Sequence, residues 1–162
     1  MTLAVDAVTA LRSAYATVAV AESLTGGLLC ATLVSVPGAS DVVRGGVVAY
    51  APELKTQLLG VDAALIAEHG TVASEVAVQM AVGVRERLGA TYGLSTTGVA
   101  GPDPSEGHRA GTVHVAAAGP DEVWTAQLDL AGDRDTIRRE TVDALLSWLV
   151  GRLREESRST EG

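Results

Sequence analysis

The chain of 162 residues has no phenylalanine, and aromatic side chains make up only 3% of it. Its core must therefore be built from valine, leucine, isoleucine and alanine, which suits helices layered on a β-branched sheet. The chain also has a single cysteine, Cys30, so an internal disulfide framework and a cysteine-rich zinc site are excluded. We interpret Cys30 as a small buried apolar residue.

Positive charge is scarce as well. The chain has 12 lysine and arginine residues against 20 aspartate and glutamate residues, a formal net charge of -8. Nucleic-acid binding needs clustered basic side chains to neutralise phosphates, so DNA and RNA are not expected partners. The chain also lacks a signal-like N-terminus and an apolar run long enough to span a bilayer. We expect a soluble, cytoplasmic protein with no membrane partner.

The hydrophobic pattern predicts alternating helices and strands in a single domain over residues 1–162, because this length suits one well-buried core. Asp62 and Ser74 are predicted helix caps, and Asp133 or Asp135 is predicted to cap the last helix. The last residues, from about 155, form a charged tail that we expect to fray. Helices are predicted over 2–14, 26–37, 52–58, 62–69, 74–88 and 133–153, and strands over 16–20, 45–50, 92–97, 111–117 and 123–130.

The order of these elements predicts the fold class. Helices separate the first three strands, which implies parallel pairing with right-handed crossovers. The last two strands are joined by the short turn 119–121, which permits only an antiparallel hairpin. We therefore predict an α/β fold, a three-layer α/β/α sandwich with a mixed, mostly parallel sheet of about five strands.

Polar side chains follow the ends of the first three predicted strands. Ser23, Tyr50 and Thr97 each lie at or just after such an end. In open α/β sheets the ligand crevice lies beyond the carboxyl ends of the parallel strands, so we expect these three residues at one rim.

Ser23 lies at a predicted strand-to-helix turn, in the segment Ala21-Glu22-Ser23-Leu24-Thr25-Gly26-Gly27. Unpaired backbone N–H groups and the positive end of the helix dipole meet there, which suits a nucleophile or an anion. The alternative is that Ser23 or Thr25 only caps the helix, while Gly26 and Gly27 allow it to pack close to the sheet.

A serine nucleophile needs a base. Of the three histidines only His108 has a plausible reach, and no local signature supports a Ser-His-Asp triad. Lys55, five residues after Tyr50, is the more interesting candidate, because a lysine in an apolar pocket can lose its proton near neutral pH. It would deprotonate Ser23 directly or through the Tyr50 hydroxyl. The alternative is that Lys55 is a solvated surface lysine.

Two further segments are candidates for binding an anion. Gly98 and Gly101, in the loop after Thr97, allow the backbone to approach a phosphate or an oxyanion, although the loop matches neither a dinucleotide nor a Walker A fingerprint. Arg134 or Arg138, at the start of the last helix, can hold a phosphate. The alternatives are a structural turn for the loop and surface ion pairs for the arginines.

The segments together resemble the CinA C-terminal domain family, which includes the nicotinamide-nucleotide amidases, also called nicotinamide mononucleotide deamidases. The resemblance runs in order over nearly the whole chain. The matching motifs are Ala21-Glu22-Ser23-x-Thr25-Gly26-Gly27, Pro37-Gly38-x-Ser40, Gly46-x-Val48-x-Tyr50 with Lys55, Thr97-Gly98-x-Ala100-Gly101-Pro102, Gly111-Thr112-Val113 and Gly132-Asp133-Arg134-x-x-x-Arg138.

The resemblance implies an amide hydrolase that converts nicotinamide mononucleotide to nicotinate mononucleotide and ammonia. It implies Ser23 as nucleophile, Lys55 as general base and Tyr50 as proton relay, and it requires no metal or cofactor. Substrate contacts are implied for Thr25, Gly26, Gly27, Ser40, Thr97, Gly98, Gly101 and Arg138.

The resemblance also implies a homo-oligomer and a stand-alone form without the nucleotide pyrophosphatase half that longer members carry. Leu24 departs from the family pattern, where a small or thiol residue is expected beside the nucleophile. The alternatives are a non-catalytic nucleotide-binding or regulatory module on the same fold, and an amidase for another small amide.

Overall fold

A computed structural model describes residues 2–162, which form a five-stranded mixed sheet between two layers of helices. The sheet order is β2-β1-β3-β4-β5; β1 pairs in parallel with β2 and β3, and β4 pairs antiparallel with β3 and β5. The predicted fold class is confirmed, and only β4 runs against the other strands. The elements are α1 Leu3–Ser13, β1 Val18–Glu22, α2 Leu28–Val34, a 3-10 turn Ala39–Asp41, β2 Val43–Val48, α3 Pro52–Leu59, α4 Ala63–His69, α5 Ser74–Leu88, β3 Tyr92–Gly98, β4 Thr112–Ala118, β5 Val123–Asp129 and α6 Arg134–Thr160.

The two helical layers pack on the sheet with different side chains. Helices α1, α2 and α6 cover one face through a core of leucine and valine, including Leu29, Leu94 and Leu149. Helix α5 approaches the other face through alanines, and a Cβ atom at Gly93 would collide with the carbonyl of Ala81. Small residues thus bring α5 against β3 and β4, as expected for a core without phenylalanine.

The last helix is longer than predicted. It continues to Thr160 rather than ending near Leu153, so the tail expected to fray is helical. Two contacts hold the additional turns: the Tyr92 hydroxyl donates to Glu156 at 2.6 Å, and Arg152 pairs with the same carboxylate at 3.2 Å. The sequence pattern missed this extension because its anchor on β3 is 64 residues away in the chain.

The predicted helix caps have mixed outcomes. Asp62 accepts from the Ala64 N–H at 2.9 Å, and Asp133 accepts from the Thr136 N–H at 2.8 Å, so both are caps. Ser74 is not a cap: it is the first residue of α5, and its hydroxyl lies 3.0 Å from His114 Nδ1 on β4. Within residues 2–162, no helix combines the length and apolar character needed to cross a bilayer.

Candidate active site

A cavity of about 540 Å³ lies beyond the carboxyl ends of β1, β2 and β3. Ser23, Tyr50 and Lys55 all line it, together with Gly98 and Gly101 of the loop after β3. The topology therefore brings the ends of β1, β2 and β3 together at one rim, where Ser23 and Tyr50 line the cavity and Thr97 does not. A groove of about 580 Å³ between α1 and α6 is lined by no histidine, lysine or cysteine of the described chain, so it contains no comparable base.

Ser23 is held at the end of β1 by its own backbone. Its N–H donates to the Thr96 carbonyl at 3.0 Å, and the Thr96 hydroxyl lies 3.3 Å from the same nitrogen. The residue is 8% exposed, and its hydroxyl faces Lys55 with Nζ and Oγ 3.0 Å apart. A nucleophile within hydrogen-bond reach of a candidate base satisfies the first geometric requirement for activation.

Lys55 is 1% exposed, so the alternative of a solvated surface lysine is wrong. Besides the Ser23 hydroxyl, Nζ donates to the carbonyls of Ala49 at 2.8 Å and Tyr50 at 3.3 Å. Those two carbonyls can only accept, and a neutral amine has two N–H groups and one lone pair. With both N–H groups on the carbonyls, the lone pair is left for the proton of Ser23.

Burial lowers the pKa of Lys55 from 10.5 to about 8, while the charges of Glu106 and Glu53 act in the opposite direction. Half of the molecules therefore carry a neutral Lys55 near pH 8, instead of a small fraction. Lys55 is also the only lysine of the chain, whose other basic side chains are arginines. Arginine stays protonated at any pH at which proteins are studied, so no arginine of the chain could replace Lys55 as a base.

The turn after Ser23 leaves backbone donors unused. The Gly26 N–H donates to the Ser23 carbonyl at 3.1 Å, and Gly26 and Gly27 have φ of 57° and 102°, a region that favours glycine. The N–H groups of Leu24 and Thr25 donate to no acceptor within residues 2–162. Free donors directly after a nucleophile are what an oxyanion hole requires.

Thr25 does not cap α2, contrary to the alternative considered for the sequence. Helix α2 begins after Gly27 without a side-chain cap, and the Thr25 hydroxyl lies 2.8 Å from that of Thr96. The helix N-terminus is bound instead by Glu22, whose carboxylate accepts from the Leu29 N–H at 2.7 Å and the Cys30 N–H at 3.1 Å. A carboxylate at that position is favoured by the helix dipole.

Glu22 is a structural residue of the site that the sequence reasoning did not identify. It is 1% exposed at the end of a strand that is otherwise apolar. The sequence signal that could have identified Glu22 is that it is the single acidic residue of an otherwise apolar strand. Cys30, expected to be buried, is half-buried, and burial with the neighbouring Glu22 raises the pKa of its thiol.

Arg134 and Arg138, at the start of α6, make different contacts. Arg138 does not line the cavity: its Nε and Nη2 donate to the carbonyls of Leu24 and Thr25, each at 3.0 Å. It clamps the turn after the nucleophile. Arg134 lines the cavity and donates to the Gly101 carbonyl at 2.6 Å and to the Tyr50 hydroxyl at 3.3 Å.

Tyr50 lies at the cavity mouth and is 60% exposed. Within residues 2–162 its hydroxyl bonds Arg134, whereas Lys55 bonds the backbone carbonyl of Tyr50 and bonds Ser23 directly. The geometry therefore fits the direct form of base catalysis rather than the tyrosine relay.

Several other residues assigned to substrate contacts by resemblance lie outside the cavity lining. Thr97 is buried and donates to the Thr71 carbonyl at 2.8 Å, which positions a residue that does line the cavity. Ser40 is exposed in the 3-10 turn, and Thr25, Gly26 and Gly27 form the turn behind Ser23. Conversely, the cavity includes Glu106, which the sequence reasoning missed and which accepts from the N–H groups of Thr71 and Val72.

Within residues 2–162, histidine, cysteine, aspartate and glutamate side chains nowhere form a group of three or more that could hold an ion.

Solved structures with similar folds come from the CinA superfamily. A protein of that superfamily from Klebsiella pneumoniae superposes with a TM-score of 0.92 at 28% identity, over 94% of this chain and 96% of that one. The competence/damage inducible protein CihA from Agrobacterium tumefaciens gives a TM-score of 0.89 at 33% identity, over 92% of each chain.

Curated relatives carry the same names. A CinA-like protein of Frankia casuarinae is 56% identical over 138 residues, which is 85% of this chain and 32% of the relative. A putative competence-damage inducible protein of Desulforamulus reducens is 48% identical over 130 residues, 80% of this chain and 32% of the relative. The chain thus spans about a third of the length of these relatives. The family profile described as the CinA C-terminal domain matches residues 1–153. The chain belongs to the CinA C-terminal domain family.

Proposed function

We propose that the cavity hydrolyses the carboxamide of nicotinamide mononucleotide, releasing nicotinate mononucleotide and ammonia. The observation that carries the proposal is the buried contact of 3.0 Å between Lys55 Nζ and Ser23 Oγ. The nucleotide substrate comes from the resemblance of the motifs, and the amide chemistry is supported by the geometry of this pair.

In the first half-reaction the neutral amine of Lys55 takes the Ser23 proton as Oγ attacks the amide carbon. The resulting oxyanion is stabilised by the free N–H group of Leu24, a residue that lines the cavity directly after Ser23. The Lys55 ammonium then gives its proton to the amide nitrogen, the C–N bond breaks and ammonia leaves. A nicotinoyl ester on Ser23 remains.

In the second half-reaction water attacks the ester carbon and gives a proton to Lys55. Collapse of the tetrahedral intermediate breaks the bond to Ser23 Oγ, which takes that proton back from Lys55. The acid so formed loses its proton to solvent, the product leaves as the carboxylate, and the pair returns to its starting state. The base thus transfers one proton in each direction in each half-reaction.

A regulatory module that only binds nucleotides is the second candidate. Such a module would use the glycine-containing loops, but it would have no need for a buried lysine with a lowered pKa beside a serine. Burial of Lys55 costs stability, because the ammonium loses its hydration. This cost favours the enzyme.

The test is the release of ammonia from nicotinamide mononucleotide by the purified protein, with the product identified by mass. We expect turnover by the wild type and none by Ser23→Ala, with Ser159→Ala on the exposed end of α6 as a serine control. Trapping of a nicotinoyl ester at Ser23 would identify the nucleophile. Binding of the nucleotide without hydrolysis would favour the regulatory module. Hydrolysis of other amides but not of nicotinamide mononucleotide would show that the substrate is another small amide.

The homo-oligomer and the cytoplasmic location remain predictions. Val34 on α2 and Val48 on β2 are 55% and 45% exposed, which leaves apolar surface for a second copy. Light scattering on the eluting protein measures the oligomeric state, and a monomer at micromolar concentration would contradict that prediction.

A further inference from the structure

We propose that Arg134 is the anion anchor of this cavity and that it recognises a phosphomonoester on the substrate. The inference rests on the proposed function only for the amide that Ser23 attacks. The anchor itself is carried by the contacts of the Arg134 guanidinium and by the charges around it.

The charge of Arg134 has no counter-ion within residues 2–162. Its two contacts are to neutral acceptors, the Gly101 carbonyl and the Tyr50 hydroxyl. Five of the other ten arginines lie within ion-pair distance of a carboxylate, and of those that do not, none lines this cavity. A guanidinium that lines a cavity beside a nucleophile and lacks a carboxylate partner is suited to bind an anionic ligand.

Arg134 is also the cation best suited to this task among the basic side chains near the site. Arg138, one helical turn further, is committed to the carbonyls of Leu24 and Thr25. Lys55 has a pKa of about 8 and faces Ser23, so it must give up its charge for catalysis. Arg134 is the arginine that lines the cavity, and its charge persists at every pH of interest.

Acidic side chains in the same cavity make a cation necessary for binding an anionic ligand. Asp103 and Glu106 line the same cavity. Glu106 is bound by the backbone N–H groups of Thr71 and Val72, which offset its charge, while Asp103 would repel a phosphate. A phosphorylated substrate therefore needs a cation in the wall, and the same carboxylates suit the positively charged pyridinium ring of a nicotinamide nucleotide.

The geometry of the guanidinium fits two-point binding of phosphate. The contacts to Gly101 and Tyr50 use one N–H on each terminal nitrogen, so the second N–H of each and that of Nε are unused by them. Because Tyr50 is mostly exposed, its hydroxyl can give up its contact with Arg134 to a phosphate oxygen without leaving a buried group unpaired.

The experiment compares two substrates that differ only in the phosphate, nicotinamide mononucleotide and nicotinamide riboside. Arg134→Gln is expected to lower kcat/KM for the mononucleotide by about 10–100-fold, mainly through KM, because one charged contact of this kind is lost. The rate with the riboside stays within about twofold. Arg139→Gln is the matched control, since Arg139 lies on the same helix and pairs with Asp135 at 3.0 Å.

Direct binding separates this proposal from the amidase assignment. Calorimetry with ribose 5-phosphate and with inorganic phosphate tests the wild type, Arg134→Gln and Arg139→Gln without any turnover. Binding of ribose 5-phosphate that only Arg134→Gln weakens supports the anchor, even in a protein that hydrolyses no amide. If the protein binds inorganic phosphate but not ribose 5-phosphate, and Arg134→Gln weakens that binding, the ligand is a free anion. That result would overturn the proposal of a phosphorylated substrate.

Two results would overturn the anchor itself. One is an equal loss of kcat/KM for the mononucleotide and the riboside in Arg134→Gln, which would show a structural role. The other is hydrolysis of both substrates at the same rate by the wild type, which would leave the amidase in place and remove the need for a phosphate site.

Discussion

The floor and the rim of the cavity, defined as Ser23 with Lys55 and as Tyr50 with Arg134, differ in their contact with water. Ser23 and Lys55 are 8% and 1% exposed, whereas Tyr50 is 60% exposed and Arg134 is also exposed. At the floor, burial lowers the pKa of an amine and prepares a base. At the rim, charged and hydroxyl groups stay hydrated and can exchange partners. Under the proposed function, proton transfer would take place at the floor and ligand recognition at the rim.

The largest effect is expected at the floor. Lys55→Met, which keeps the length of the side chain and removes the base, should lower kcat by about 10²–10⁴-fold. Lys55→Arg should be equally impaired, because an arginine retains the charge but not a removable proton. Steady-state rates of ammonia release measure both. Substantial activity in Lys55→Arg would show that position 55 supplies only charge.

A smaller effect is expected behind the floor, where Arg138 clamps the carbonyls of Leu24 and Thr25. Arg138→Met should lower kcat by about 10–100-fold with little change in KM, because the free N–H groups of the turn lose their orientation. Circular dichroism checks that the variant is folded. A rise in KM alone would assign Arg138 to substrate binding, as the resemblance implied.

The pH dependence tests the cause of the lowered pKa at the floor. The activity should rise with pH through the pKa of Lys55, about 8, because only the neutral amine is a base. Glu106→Gln should move this limb to lower pH, since the charge of Glu106 raises the pKa. The single lysine gives one signal in a ¹³C-lysine NMR titration, which measures the pKa without turnover. A value near 10.5 would remove Lys55 as the base.

The same shift affects stability, with a sign set by proton binding. Between pH 8 and 10.5 the unfolded chain holds the Lys55 proton more tightly than the folded chain. The free energy of unfolding of the wild type should therefore rise across this window relative to Lys55→Met, by up to about 3 kcal/mol. Urea unfolding at a series of pH values measures the difference, and parallel curves for the two proteins would contradict it.

The smallest effect is expected from the Tyr50 hydroxyl at the rim. Tyr50→Phe removes one hydroxyl that bonds Arg134 at 3.3 Å and leaves the contact of Lys55 with Ser23 in place. We expect kcat to change by less than about threefold, since an exposed hydrogen bond contributes little. A loss of 100-fold or more would restore the tyrosine relay that the resemblance implied.

Much of the fold and part of the site followed from local patterns. The strand ends at Ser23, Tyr50 and Thr97 were predicted at one rim, because periodicity identifies strands and helical crossovers impose parallel pairing. Lys55 was a candidate base, but its burial was not predictable, since it depends on the Ala49 and Tyr50 carbonyls and on Ser23 across the sheet.

Two features could not be determined from the sequence, and the physical reason is the same for both. Arg134 and Arg138 lie four residues apart on nearly the same helix face, so helical phase could not separate them. Their positions along the axis of α6 determine their contacts. Arg134, in the first turn, reaches the cavity, and Arg138, one turn later, reaches the Leu24 and Thr25 carbonyls. Ser74 was predicted as a cap because its partner His114, 40 residues away, is invisible to local reasoning.

The sequence by itself determined the α/β fold, its family and the strand-end position of Ser23, because these depend on periodicity and on motifs within a few residues. Only the tertiary structure decided the direct contact of Lys55 with Ser23, the binding of the α2 N-terminus by Glu22 and the different contacts of Arg134 and Arg138. These depend on distances between segments far apart in the chain, and the pKa of Lys55 depends on how completely those segments exclude water.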